Sequence, residues 1–247
     1  MKLRQVAIAA RHLEPIRTKL FDLFGIQQDF KDPGVGEFGL ENSVMAIGNS
    51  FFEIVAPVQE NTAAGRTLDR AGSDACGYML LFQVNNFAQF DAHLDSQGLR
   101  KVWNSEQAAV SACHVHPKDM QGAIVSFDEM RPPESWLWGG PSWEQQQATD
   151  AVSIRGCALG TQTPQALAQH WSSILQTPVT DDPAEGIRIN FADGTFVAFE
   201  EAKVTTPQLT SMTINAANPD QMRARSVELG LGDIPTLGTF EIHIEST

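Results

Sequence analysis

The chain has 247 residues, of which 42% are hydrophobic and 19% are charged, so it contains enough apolar material for a packed core. Its 17 Lys and Arg against 30 Asp and Glu give a formal charge of −13. This balance argues against nucleic acid or an anionic membrane as a partner, because phosphate contacts need clustered cations. No apolar run approaches the roughly 18 residues of a membrane-spanning helix.

The first apolar run is too short for a secretory signal, and the cysteines are far apart, without a Cys-x-x-Cys pair. These features predict a cytoplasmic protein with reduced thiols. The cysteines are Cys76, Cys113 and Cys157.

Four segments share one pattern, in which a short apolar strand is followed by a polar turn and an amphipathic helix. The strands are Val6–Ala10, Leu80–Val84, Cys157–Gly160 and Met212–Asn215. The first predicted helix runs to Gly25, and the second runs from Phe87 through Leu94. The third passes through Leu167 to Leu175, and the fourth passes through Met222 to Val227. In each helix the apolar residues recur three or four positions apart, as one buried face requires. The irregular spacing of the repeats argues against a solenoid.

Further strands are predicted after the helices. Asp193-Gly194 is a strong turn signal between two of them. The predicted strands are Val44–Ile47, Phe51–Val55, Cys113–Lys118, Ala123–Asp128, Ile187–Phe191, Phe196–Phe199 and Gly238–Ile244. Each repeat therefore reads as β-α-β-β, with a further strand in some, and the fold class is α+β.

Residues 131–150 interrupt the pattern, since they are rich in Pro, Gly, Gln and Trp. We place a linker there, between an N-terminal domain of residues 1–130 and a C-terminal domain of residues 151–247, each with two modules. The Trp residues of the linker, Trp136, Trp138 and Trp143, either join the domains or clamp a ligand.

Paired β-α-β-β-β modules resemble the vicinal oxygen chelate superfamily of glyoxalases, methylmalonyl-CoA epimerases, extradiol dioxygenases and bleomycin-resistance proteins. The segments that carry the resemblance are Val6–Glu14, Phe51–Pro57 and His116–Val125. The last of them is similar to the epimerase and glyoxalase-like branch. The resemblance implies two tandem domains, each a curled mixed sheet covered by helices, with a cup that can hold a divalent metal.

The resemblance also implies four ligand positions in each domain. In the N-terminal domain they are Gln5, Glu53, Met79 and Ser126, of which the first two are acceptable ligands. In the C-terminal domain they are Gly156, Ala198, Ser211 and Ile242, so this domain is expected to hold no metal.

Strand alternation adds two histidines to the N-terminal cup. If Cys113 and Val115 face a helix, then His114 and His116 face the cup, and one of them lies across from Ser126. A site of Gln5, Glu53, His114 and His116 suits Zn, Ni, Mn or Fe. The predicted substrate pocket consists of Gln5, Phe51, Met79, Gln83, His114, His116 and Ser126.

Glu53 is the candidate catalytic residue, either as a metal ligand or as a general base. A carboxylate in an apolar strand needs a partner or a shifted pKa, although a structural hydrogen bond could also account for it. One function is therefore a glyoxalase-, epimerase- or dioxygenase-type enzyme, for example a lyase or isomerase, acting on an oxo acid, thioester or diol. The alternative is a metal-free protein of the bleomycin-resistance type that sequesters a small molecule. In either case the predicted partner is a small molecule, and a homodimer is compatible with both functions.

Overall fold

The structure is a computed structural model that describes the whole chain, Met1–Thr247. It contains strands β1 (Lys2–Ala10), β2 (Leu40–Ile47), β3 (Ser50–Pro57), β4 (Ala75–Gln83), β5 (Lys101–Glu106), β6 (Val110–Val115), β7 (Ile124–Met130), β8 (Ala151–Thr161), β9 (Val179–Asp182), β10 (Gly186–Asn190), β11 (Phe196–Glu201), β12 (Gln208–Ala216), β13 (Thr236–Leu237) and β14 (Phe240–Ser246). The α-helices are α1 (Leu13–Phe24), α2 (Ala63–Ala71), α3 (Phe87–Ser96), α4 (Pro117–Met120), α5 (Pro164–Leu175) and α6 (Pro219–Glu228). Short 3-10 segments cover Pro33–Phe38, Leu137–Gly139 and Trp143–Gln145.

The strands form two seven-stranded mixed sheets, ordered β2-β3-β1-β4-β7-β6-β5 and β13-β14-β12-β8-β11-β10-β9. The first strand of each module pairs in parallel with its last strand, in β1·β3, β4·β7, β8·β11 and β12·β14. The first and fourth modules have two strands after the long helix, and the middle two modules have three. This arrangement confirms the predicted α+β fold of four β-α-β-β(-β) modules.

The chain divides into two compact units. Unit one consists of Met1–Arg4, Met79–Leu137 and Gly156–Leu209, and unit two consists of Gln5–Tyr78, Trp138–Arg155 and Thr210–Thr247. Each unit therefore combines modules from both halves of the sequence. The strands of the first sheet end before residue 131 and those of the second begin after residue 150. The domain boundaries at 130 and 151 stay a prediction.

Each unit has its own aromatic core. In unit one, the Phe82 ring lies 6.0 Å from that of Phe127 and 6.4 Å from that of Trp171 on α5. In unit two, the Phe52 ring lies 6.1 Å from that of Phe24 on α1 and 6.2 Å from that of Phe240. Phe52 therefore turns towards α1, and by alternation its neighbour Glu53 turns to the other face, which we call the distal face.

All four predicted long helices are present, with one difference in the buried face. Helix α1 ends at Gly25, which has a φ of 70°, the left-handed conformation that glycine adopts at a helix C-terminus. On α6, Val227 is 55% exposed, and Ser226 is buried instead, with its hydroxyl donating to the carbonyl of Gly232. The hydrogen bond gives a partner to the hydroxyl that α6 buries.

The predicted strand at Cys113–Lys118 was wrong at its end. Strand β6 stops at Val115, and Pro117 begins the single turn α4. Proline has no N–H to donate to a sheet but is favoured at the first turn of a helix. Besides α4, four elements were not predicted, namely α2 and the outer strands β5, β9 and β13. Strand β5 alternates half-buried and exposed residues and so lacks an apolar run.

The three cysteines are free and buried. Burial raises the pKa of Cys76 to about 11 and that of Cys113 to about 12, and it raises the pKa of Cys157 as well. The structure contains no helix with the length and apolar character needed to cross a membrane.

Candidate functional site

A buried carboxylate held by two amides is the main polar feature of unit two. Oε2 of Glu53 accepts a hydrogen bond from Nε2 of Gln5 at 2.8 Å, and Oε1 accepts one from Nδ2 of Asn42 at 2.7 Å. Glu53 is 7% exposed, and Gln5 and Asn42 are buried as well. The structure therefore brings together Gln5 and Glu53, as predicted for neighbouring strands, and adds Asn42.

Sheet register explains why these side chains meet. In the parallel pair of β1 and β3, Gln5 lies opposite Phe51, and Ala7 lies opposite Glu53. In the antiparallel pair of β2 and β3, Val44 lies opposite Glu53. Paired residues share a face of the sheet, as do residues two apart on one strand. Gln5 and Asn42 consequently lie on the distal face, on either side of Glu53.

The orientation of the Asn42 amide is defined by a second bond. Oδ1 of Asn42 accepts the main-chain N–H of Asp32 at 2.9 Å. Asp32 precedes the 3-10 segment Pro33–Phe38 and caps it, since its carboxylate accepts the N–H of Gly34 at 2.8 Å. The Glu53 site is thus connected through Asn42 to the start of this segment.

Burial dominates the electrostatics of Glu53. Loss of hydration raises the pKa of Glu53, the hydrogen bonds from Asn42 and Gln5 lower it in part, and the charge of Asp32 raises it further. Burial also raises the pKa of Tyr78, as does the charge of Glu53. No lysine, arginine or histidine is among the groups that act on Glu53. The carboxyl group is therefore hydrogen-bonded by two neutral amides, with no cation among the groups that act on it.

Aromatic side chains lie beside the carboxylate on the same face. The rings of Phe51 and Trp143 meet edge to face, with centroids 5.2 Å apart. Gly139 is packed so closely on Phe51 that an added Cβ would overlap the ring. Within unit two, part of the predicted linker therefore packs against the sheet next to Glu53.

The remaining predicted pocket residues belong to unit one. His114 lies opposite Ser126 across β6 and β7, as predicted, and its ring is 4.4 Å from that of Trp103. Burial lowers the pKa of His114 to about 4, so the imidazole is neutral near pH 7. The hydroxyl of Ser126 donates to the carbonyl of Cys113 at 3.4 Å.

Two other pocket residues of unit one lie on β4. Met79 and Gln83 are both buried. Nε2 of Gln83 donates to the carbonyl of Pro133 at 2.5 Å, while its Oε1 is buried without a hydrogen-bond partner. Gln83 thus keeps an acceptor that a ligand with a donor group could satisfy.

His116 does not extend the strand that carries His114. It precedes α4, and its Nδ1 accepts the main-chain N–H of Lys118 at 3.1 Å. The two histidines therefore have different surroundings, one against a tryptophan ring and the other at a helix start. The role of His116 in a pocket or a metal site stays a prediction.

The donor set around Glu53 does not fit a divalent cation. Both carboxylate oxygens accept amide protons, and Gln5 turns its NH₂ group, not its carbonyl, towards Glu53. No three His, Cys, Asp or Glu side chains come together as a metal site requires. Of the predicted metal ligands Gln5, Glu53, His114 and His116, Gln5 and Glu53 are in contact. Their hydrogen bonding does not support the predicted metal site.

Asn42 and Trp103 were not foreseen as site residues. Asn42 precedes the apolar run Val44–Ile47 from which β2 was predicted. In the structure β2 begins at Leu40 and therefore includes Asn42. Strand alternation from Val44, the partner of Glu53, is the signal that could have placed Asn42 on the same face. Trp103 lies on β5, a strand without an apolar pattern.

The module order, the parallel pairing within each module and the two seven-stranded sheets define the vicinal oxygen chelate fold. A solved structure that shares it is a triple mutant of 4-hydroxymandelate synthase from Streptomyces coelicolor, with a TM-score of 0.71 over 93% of this chain and 75% of that chain, at 11% identity. At this identity the likeness shows the fold alone. The fold predicted from the sequence is thereby confirmed.

Two further solved structures are similar to about half of the chain. Methylmalonyl-CoA epimerase from Mycobacterium tuberculosis is 22% identical over 52% of this chain and 87% of its own, with a TM-score of 0.46. An epimerase variant from Streptomyces coelicolor, in complex with 2-nitronate-propionyl-CoA, is 17% identical over 55% of this chain and 99% of its own, with a TM-score of 0.48. No protein-family profile and no curated protein matches the sequence.

Proposed function

We propose that the chain is an enzyme that moves a proton on a small organic molecule, with the carboxylate of Glu53 as proton acceptor and donor. The observation that carries the proposal is a buried carboxylate oriented by two amides without a neighbouring cation. Structural carboxylates in protein interiors are usually paired with a cation, whereas carboxyl groups with pKa values raised by burial are common in active sites.

The chemistry that suits this arrangement is proton transfer next to a carbonyl. Glu53 would take a proton from the carbon atom, and the electron pair of that bond would move onto the carbonyl oxygen. The protonated Glu53 would exchange its proton with solvent and return a solvent-derived proton to the carbon skeleton as the carbonyl re-forms. A base works best when its pKa is near the working pH, and burial shifts the pKa of Glu53 in that direction. Gln5 and Asn42 would hold the carboxylate without taking up a proton, because amides do not ionise in this range.

We take the proposed substrate class from the fold resemblance, and it includes several kinds of carbonyl compound. A small oxo acid, hydroxy ketone or thioester has an acidic C–H bond next to a carbonyl, and each is a candidate. A divalent metal would add Lewis-acid chemistry in proteins that hold one. Since the residues around Glu53 do not fit a cation, the proposal includes no step through a metal.

A second candidate is a binding protein that performs no reaction. The edge-to-face pair of Phe51 and Trp143, with Gly139 against the ring, supports this alternative, because an aromatic wall recognises apolar ligands without chemistry. The same compounds would bind in either case. Only the fate of the C–H bond separates the two candidates.

The test is hydrogen exchange in D₂O, followed by proton NMR on a panel of oxo acids, hydroxy ketones and thioesters. We expect loss of the C–H signal with the native chain and with Glu41→Gln, which makes the same change at an exposed position of β2. Glu53→Gln is expected to slow the exchange by about 100-fold or more, since general bases contribute 10²–10⁴-fold. Equal exchange with Glu53→Gln would overturn the proposal. A raised melting temperature with the same compounds and no exchange would favour the binding protein.

A further inference from the structure

Asn42 is held at both ends of its amide. Oδ1 accepts the main-chain N–H of Asp32 at 2.9 Å, and Nδ2 donates to Oε1 of Glu53 at 2.7 Å. The side chain is buried, so water does not replace either partner. An amide has one accepting and one donating end. The bond to Asp32 therefore decides which end faces Glu53.

The reversed amide would be strongly disfavoured. A half-turn would place Oδ1 of Asn42 against the carboxylate of Glu53 and its NH₂ group against the N–H of Asp32. Two acceptors would then meet at one end and two donors at the other, and buried groups without partners are costly. The main chain of Asp32 thus selects the orientation that supports Glu53.

Asp32 is itself fixed by the 3-10 segment that it caps. Its φ and ψ are −75° and 115°, and its carboxylate accepts the N–H of Gly34 at 2.8 Å. The cap uses the side chain of Asp32, whereas the bond to Asn42 uses its main chain. A suitable pair of substitutions can therefore separate the two interactions.

We propose that Asn42 is a positioning residue for Glu53 and that the main-chain N–H of Asp32 sets its orientation. The inference rests on the proposed function, in which Glu53 exchanges a proton with the substrate. Asn42 contacts the carboxylate on the side opposite Gln5, so the two amides together fix the position of both oxygens. A base that is held in one orientation loses less entropy on reaching the reactive geometry.

The matched variants are Asp32→Ala and Asp32→Pro. Both remove the side-chain cap, but only proline removes the N–H, and the φ of −75° at this position suits its ring. In the exchange assay, we expect Asp32→Pro to have a kcat about 10- to 100-fold below that of Asp32→Ala, with KM unchanged. The same kcat in both variants would overturn the inference, because loss of the cap alone would then account for any defect.

A second readout does not depend on catalysis. The side-chain amide of Asn42, observed by NMR after ¹⁵N-asparagine labelling, is expected to show one strongly shifted and exchange-protected proton. We expect this signal to persist in Asp32→Ala and to be lost in Asp32→Pro and in Glu53→Gln. An unchanged Asn42 signal in Asp32→Pro would overturn the inference. If the signal responds as expected but no variant, the native chain included, exchanges a proton, then the proposed function fails and the orientation of Asn42 is supported.

A further variant covers the case in which Asp32→Pro does not fold. Asn42→Ala removes the donor that faces Glu53 without adding a charge. We expect kcat to fall with KM unchanged, whereas Asn190→Ala, the same change at an exposed position of unit one, should leave kcat as it is. A native kcat in Asn42→Ala would contradict the positioning role.

Discussion

Glu53 in the first sheet and Ala198 in the second occupy equivalent places. Glu53 pairs with Ala7, and Ala198 pairs with Ala158, in the same parallel register between the first and last strands of a module. Two residues earlier, on the same face of each sheet, Gln5 pairs with Phe51 and Gly156 pairs with Phe196. The backbone arrangement is therefore repeated, while the carboxylate and its amide donor occur in the first sheet alone.

Glu53 is expected to make stability fall with rising pH. Burial raises its pKa in the folded chain, so between about 4.3, the usual glutamate value, and the raised value the folded chain binds more protons than the unfolded chain. We expect Glu53→Gln to become more stable relative to the native chain as pH rises through this range. Urea unfolding at several pH values measures the difference, with Glu41→Gln as control. A difference that is constant with pH would contradict the raised pKa.

Metal content provides a direct test of the predicted metal set. Because both oxygens of Glu53 accept amide protons, we expect the purified protein to hold far less than one divalent ion per chain, even after incubation with Zn, Ni, Mn or Fe(II). Plasma mass spectrometry on the untagged protein measures the ratio. Near-stoichiometric metal in the native chain that is lost in Glu53→Ala would show that Gln5 and Asn42 rearrange around an ion.

The close packing of Gly139 on Phe51 predicts a large cost for one methyl group. Gly139→Ala would force the ring or the segment to move, and overpacking of this kind costs about 1–3 kcal/mol. The matched control is Gly36→Ala, where an added Cβ meets nothing within 4 Å, and we expect a change below about 1 kcal/mol. Thermal and urea unfolding compare the two variants. Equal effects would mean that the contact with Phe51 relaxes freely.

His114 is expected to destabilise the fold in acid. Its pKa is about 4 in the folded chain because of burial, against about 6.5 when unfolded, so the unfolded chain binds more protons between these values. The contribution of the neutral, buried His114 to the free energy of unfolding is fully present above about pH 6.5 and is lost as pH falls towards 4. We expect His114→Phe to lose less stability than the native chain over this interval. An NMR titration of His114 with a midpoint near 6.5 would contradict the assignment.

The modules were predictable from the sequence because each combines two strong patterns, an apolar strand and a helix with one apolar face. The meeting of Gln5 and Glu53 followed from strand alternation and from the resemblance. The contact of Asn42 with Glu53 could not be predicted in this way, since Asn42 lies in the polar first half of β2, where no periodic signal marks a strand. His116 was misplaced because the strand prediction ran through Pro117, where the missing N–H ends the pairing.

The burial of all three cysteines has a practical consequence. Their raised pKa values leave almost no thiolate near neutral pH, and thiolate is the reactive form. A cysteine introduced at Gly36, which has open space around it, is therefore expected to be the one thiol that reacts rapidly with an alkylating dye. The Gly36→Cys variant can thus carry a single fluorescent reporter on the segment that Asp32 caps, without prior removal of any native cysteine.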